Sequence, residues 1–214
     1  MLDADNLFFD LDGTLCDTQA DVLADMGGTL AALGLDEARF FETFRIGPPL
    51  HQALREIYPE IQPATSERFI QEFRDRYDAS DYPQTVPYPG IVSLLQRAKA
   101  DEKRLFIATN KRYRPTVRIM EKFGLTGLFA DIFAVDKIPG SVMSKVEMLR
   151  TPGVEPNRSV MIGDSASDIL AGQEAGFSTV AVTWGYESAE KLQAAGPDFL
   201  AANAEELALY LGVG

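Results

Sequence analysis

The chain has 214 residues, 46% of them apolar, and a formal net charge of −12. That is enough for a real hydrophobic core and for one or two domains. The negative field repels nucleic acid and anionic membrane, which excludes both as expected partners, and no apolar run approaches the length of a membrane span. One cysteine, Cys16, permits no internal disulfide, which fits a reducing cytosol. The N-terminus lacks the basic-then-apolar layout of a signal peptide, so a cytoplasmic protein is the expectation. There is no repeat of fixed period and no low-complexity segment.

The first element is a short apolar run, Leu7-Phe8-Phe9, which ends in Asp10-Leu11-Asp12-Gly13-Thr14. Residues 17–83 then carry no strand signal and at least three helical patterns. Leu23, Met26, Leu30 and Leu33 form one stripe, stopped by Gly34; Leu50, Leu54 and Ile57 form a second; Phe69, Ile70, Phe73 and Tyr77 form a third. A proline-rich connector, residues 82–90, leads back. Beyond it, short apolar runs at 105–108, 132–135, 160–162 and 180–182 alternate with helical patterns. These are Ile91, Leu94, Leu95 and Ala98; Val117, Met120 and Phe123 with Gly124 as a stop; and Ile169, Ala171, Gly172 and Ala175 closed by Gly176. None of the strand runs alternates apolar with polar, so both faces are expected to be buried, as in a parallel sheet. The order predicts a doubly wound, mostly parallel α/β core of residues 1–16 and 84–214, with an all-helical insert at 17–83. The two linkers near 16–17 and 83–87 are natural hinges.

In an open α/β sheet, ligands bind beyond the carboxyl ends of the strands. There the sequence places Asp10 and Asp12, then Thr109, Asn110 and Lys111, then Asp164 and Asp168. Asp10 and Asp12 start on one face of an extended chain end. Joined by Asp164 they repel one another unless a cation neutralises them. Carboxylates without histidine or cysteine nearby suit a hard, oxygen-loving ion such as Mg2+. Carboxylate attack on phosphorus splits one displacement into two steps, and a second carboxyl group can protonate the leaving oxygen and then activate water. Gly13 permits a tight turn and a close backbone approach to phosphate. Lys145 opens a helical pattern with Val146, Met148 and Leu149 and can aim a cation at the same point; Lys137, before Pro139-Gly140, is a rival that reads as loop.

Four motifs in order, Asp10-Leu11-Asp12-Gly13-Thr14, Thr109-Asn110, Lys145, and Gly163-Asp164-Ser165-Ala166-Ser167-Asp168, closely resemble those of the haloacid dehalogenase superfamily of phosphohydrolases. The resemblance spans nearly the whole chain, and the insert resembles that family's small helical cap. The resemblance implies that Asp10 is nucleophile and metal ligand. It makes Asp12 the general acid/base, with its backbone carbonyl offered to the metal. Thr109 and Lys145 hold the phosphoryl group, Asp164 completes an Mg2+ site, and Asp168 supports that site or orients Lys145. Dehalogenases lack an acid at the place of Asp12, so a phosphatase is implied. Arg45-Ile46-Gly47-Pro48-Pro49-Leu50 and Thr109-Asn110-Lys111 are similar to segments of phosphoglycolate-phosphatase-like members. Gly13, Arg45, Asn110 and Lys111 are then the substrate contacts, and a small phosphorylated metabolite is the expected partner of a monomer or homodimer. The cap is expected to close over substrate and choose its leaving group. Sugar phosphomutase, nucleotidase or pyrophosphatase activity, and a non-catalytic binding protein, are the alternatives. His51, the one histidine, reads as a surface residue with a catalytic role as the alternative, Cys16 as a small packed residue, and Trp184 with Tyr186 as packing over a loop with no chemistry assigned.

Overall fold

The computed structural model describes residues 2–44, 46 and 50–214. Two compact units emerge, one comprising Met1–Asp17 with Val86–Gly214 and the other Thr18–Thr85.

In the larger unit six strands form one sheet: β1 (Asn6–Phe9), β4 (Arg104–Thr109), β5 (Phe129–Ala134), β6 (Ser159–Gly163), β7 (Ser178–Val182) and β8 (Phe199–Ala201). Their order is β5-β4-β1-β6-β7-β8, and every neighbouring pair is parallel. β1 lies between β4 and β6, so strands are added first to one side of it and later to the other. Burial of both faces explains the unbroken apolar runs. Phe8 stacks on Phe106 at 4.5 Å between ring centres, and both join Met161 in a cluster with Met148, Leu149, Ala171 and Ala175. Leu7 and Phe9, one residue either side of Phe8, face the other way and are equally buried. The sheet is flanked by α5 (Ile91–Ala100), α6 (Tyr113–Lys122), α7 (Lys145–Arg150), α8 (Ala166–Ala175), α9 (Ala189–Ala194) and α10 (Ala204–Leu211). The α/β fold with a mostly parallel sheet is therefore the one expected.

Details differ. β8 and the two-residue antiparallel ribbon β2 (Cys16–Asp17) with β3 (Val86–Pro87) are too short to register as periodic runs. In α6 the buried face carries Pro115, Thr116, Ile119 and Met120 in place of the Val117–Phe123 stripe. Phe123 already ends the helix there, and Gly124 follows in the left-handed region with φ of 66°.

The smaller unit holds α1 (Gln19–Leu33), α2 (Glu37–Thr43), α3 (Leu50–Ile57) and α4 (Pro63–Ala79). α2 is the additional helix. It is only seven residues long and buries a single side chain, Phe40, so it has no period to read; the Asp36 side chain caps it by accepting from the Arg39 N–H at 3.2 Å. Phe40 stacks on Phe44 at 4.7 Å and meets Phe69 at 6.0 Å, forming the centre of this unit with Leu30 and Leu54. On α1 the buried stripe runs Val22, Met26, Thr29 and Leu30, while Leu23 and Leu33 are half-buried.

Asp21, buried in the first turn of α1, accepts from the Thr85 N–H and hydroxyl, both at 2.7 Å, and from the Gln84 N–H at 3.1 Å. It ties the start of this unit to its end. Asp21→Ala leaves those donors without an acceptor and is expected to cost roughly 2–4 kcal/mol of stability, read as a lower urea midpoint with unchanged slope.

Candidate active site

The order of strand addition switches sides at β1, and in such sheets ligands bind beyond the carboxyl ends of the strands at this point, here those of β1, β4 and β6. Asp10 follows β1, Thr109 closes β4 and Asp164 follows β6. The Asp10 N–H donates to the Ile162 carbonyl at 2.9 Å, which holds the end of β1 against β6.

Asp10, Asp164 and Asp168 are buried, and a carboxylate oxygen from each lies within 4.8 Å of those of the other two. Lys145, the first residue of α7, reaches into them. Its Nζ donates to Asp10 Oδ1 at 2.7 Å and to Asp168 Oδ1 at 2.6 Å. Ser144 sets that helix start through a capping box with Glu147. Lys137 lies elsewhere: it pairs with Asp131 at 2.5 Å and sits over the Phe133 ring.

Asp168 serves two structures at once. Its Oδ2 accepts from the Ser165 N–H and hydroxyl, capping α8, while Oδ1 takes Lys145. Asp164 Oδ1 accepts from the Thr14 hydroxyl at 3.2 Å and Oδ2 from the Tyr186 N–H at 2.8 Å. Among these contacts no donor reaches Asp10 Oδ2. Gly13 turns with φ of 80°, and a Cβ there would fall 2.1 Å from Asp164 Oδ2, so both conformation and space demand glycine.

Asp12 is outside the three-carboxylate group; its Oδ1 accepts from Lys111 Nζ at 2.8 Å. Thr109 is buried, and its hydroxyl accepts from the Lys111 N–H at 3.1 Å. Asn110 is exposed. Arg45 lies outside the described residues, as do Gly47, Pro48 and Pro49. His51 is exposed on α3. Burial pushes the Cys16 thiol up to about 12, so it is no nucleophile at neutral pH.

The electrostatics show what the group lacks. Burial raises the Asp10 pKa; Lys145 opposes this, and Asp168, Asp164 and Asp12 add to it. Burial likewise pushes Asp164 up to about 7, against the Tyr186 N–H, with Asp168 adding and the Thr14 hydroxyl opposing. For Lys145, burial works against the charge, but Asp10 and Asp168 outweigh it and hold the amine above its ordinary value. The net effect on Asp10 follows from the count: three buried carboxylates are grouped, and one lysine pairs with two of them. Fully ionised, they leave two negative charges, the amount one divalent cation cancels. The donors are all oxygen, which suits Mg2+.

Sequence reasoning missed the segment after β7. Trp184 Nε1–H donates to the Thr14 carbonyl at 3.1 Å, and Tyr186 binds Asp164 through its backbone. The position rule that selected Asp164 applies equally here, since this segment also leaves the carboxyl end of a strand. Its contacts with Asp164 itself are a backbone N–H and the absent side chain of Gly185.

The sequence pattern of haloacid dehalogenase-like hydrolases matches residues 7–182. The chain is 33% identical over 186 residues to a phosphoglycolate phosphatase of Agrobacterium fabrum, covering 83% of this chain and 80% of that one. It is 31% identical over 210 residues to a phosphoglycolate phosphatase of Aquifex aeolicus, covering 94% and 93%. The crystal structure of a predicted phosphatase from Clostridium acetobutylicum superposes with a TM-score of 0.85 at 26% identity, covering 99% of both chains. Carboxylates at the tips of β1 and β6, a lysine bonded to Asp10 and Asp168 and this breadth of sequence agreement lead to one conclusion: the chain belongs to the haloacid dehalogenase-like hydrolase family, as a phosphatase of that family.

Proposed function

We propose that this phosphatase hydrolyses a small organic phosphomonoester, with phosphoglycolate the favoured substrate, through an aspartyl-phosphate at Asp10 and with Mg2+ as cofactor. The observation that carries the reading is the charge excess of Asp10, Asp164 and Asp168 over Lys145 in a buried, oxygen-only site. Asp10 and Asp164 would hold the metal with the Asp12 carbonyl. Asp168, with most of its acceptor capacity spent on Ser165 and Lys145, acts chiefly to orient Lys145. When bound, Mg2+ supplies positive charge that shields the nucleophile from an anionic substrate.

Asp10 Oδ2, the oxygen not engaged by Lys145, attacks phosphorus in line; the oxygen–phosphorus bond forms as the ester bond breaks. Asp12 gives the leaving oxygen its proton, then takes one from the water that frees phosphate. The Thr109 hydroxyl and Lys145 hold the phosphoryl oxygens. Lys111, 2.8 Å from Asp12, keeps that side chain in place and supplies a cation for the substrate's carboxylate. Phosphoglycolate is favoured because the relatives at 33% and 31% identity are phosphoglycolate phosphatases.

The test is phosphate release from 2-phosphoglycolate, a hexose phosphate, a nucleoside monophosphate and pyrophosphate, with Mg2+ or with excess chelator. Turnover is expected to be highest on phosphoglycolate and lost with chelator. Undiminished turnover under chelation sinks the metal assignment. Recovery of a hexose phosphate isomer in place of free phosphate turns the reading to a mutase.

A further inference from the structure

The segment after β7 has no part in the reaction just described, yet all four residues at 184–187 engage the site. We propose that it is a positioning strap that sets Asp164 for the metal; this rests on the reading of Asp164 as a metal ligand.

Trp184 donates its indole N–H to the Thr14 carbonyl at 3.1 Å. Gly185 follows with ordinary backbone angles, so its glycine answers to space alone. A Cβ there would stand 2.3 Å from Asp164 Cβ, 2.4 Å from Asp164 Oδ2 and 2.4 Å from the Gly13 carbonyl oxygen. Tyr186 donates its N–H to Asp164 Oδ2 at 2.8 Å and its hydroxyl to Asp17 Oδ1 at 3.3 Å. Glu187 accepts from the N–H of Ala166, the first residue of α8, at 2.5 Å. The Asp164 carboxylate is thus held between Gly13 on the nucleophile loop and Gly185 on the strap.

The chemistry of a carboxylate ligand explains the arrangement. Asp164 has two side-chain torsions, and metal affinity depends on presenting an oxygen in one direction. The Tyr186 N–H fixes Oδ2 with a donor that cannot rotate away, and the Thr14 hydroxyl fixes Oδ1. Trp184 binds the backbone of that same Thr14, so strap and nucleophile loop form one frame. Asp17 extends the frame to the last residue before the chain crosses into the helical unit.

The experiment is calorimetric titration of substrate-free protein with Mg2+ alone, with the emission of Trp184, the single tryptophan, as a second readout. Gly185→Ala is expected to weaken Mg2+ binding about 10–100-fold. Gly127→Ala, where a Cβ meets nothing within 4 Å, is expected to bind as the parent does. A folded Gly185→Ala protein with the parent's Mg2+ affinity overturns the proposal. Should Gly185→Ala not fold, Tyr186→Phe, which keeps the N–H to Asp164 but loses the hydroxyl's contacts, that to Asp17 among them, is expected to weaken binding about threefold, and an unchanged affinity there overturns it equally. If the parent binds no Mg2+ at all, the metal reading itself has failed, and that result is distinct from failure of the strap alone.

Discussion

Asp10→Asn is expected to lower kcat on the order of 10^4-fold or more, about 5.5 kcal/mol of barrier, without unfolding the protein. Asparagine keeps the shape of the side chain but cannot form the acyl phosphate, so both steps that pass through Asp10 are lost. Destabilisation is expected to be small. The substitution removes one of the two buried carboxylates that share Lys145, and Asp168 still accepts from the amine at 2.6 Å. The metal-free melting temperature should therefore stay within a few degrees of the parent. Extra Mg2+ should not rescue turnover, because the loss lies in the nucleophile. Single-turnover phosphate release and thermal melts on the two proteins provide the check. A variant that retains turnover within tenfold of the parent would remove Asp10 from the centre of the mechanism.

What could be read from the sequence depended on the kind of signal each residue gives. β1 was legible because Leu7, Phe8 and Phe9 are buried on both faces and stop at Asp10. That junction of apolar strand and charged tip also marks β6 and Asp164. Lys145 was legible through its place at a helix start, and the structure brings its amine to Asp10 and Asp168. Asp168 is both helix cap and lysine acceptor, one oxygen to each task, so its residue type alone does not separate the two. α2 buries a single side chain and β8 is three residues long, so neither shows a repeat to read. The strap was illegible for a deeper reason. Its contact with Asp164 is a backbone N–H, its tightest approach is the missing Cβ of Gly185, and neither leaves a pattern in residue types. Aspartate-rich tips announce themselves; the frame that aims them does not.

Mg2+ is expected to stabilise the protein far more at pH 8 than at pH 5.5. Burial pushes Asp164 up to about 7 and raises Asp10 in the same direction, whereas an unfolded aspartate titrates near 3.9. Between about pH 4 and pH 7 the metal-free native state therefore binds more protons than the unfolded chain, and its stability falls as pH rises. Lys145 stays protonated across this window, since Asp10 and Asp168 outweigh its burial, so the carboxylates are what titrate. At pH 8 they are ready to ionise, and a divalent cation takes the place of the protons. With Mg2+ at about 100 times its dissociation constant the gain is about 2.7 kcal/mol, or about 5–11 °C in melting temperature for a chain of this size. At pH 5.5 the proton on Asp164 competes, and apparent affinity drops about 30-fold. The same Mg2+ then yields about 1 kcal/mol, or about 2–4 °C. Melting curves with and without Mg2+ at the two pH values decide it. An equal gain at both would mean that the ion does not bind where Asp10 and Asp164 meet.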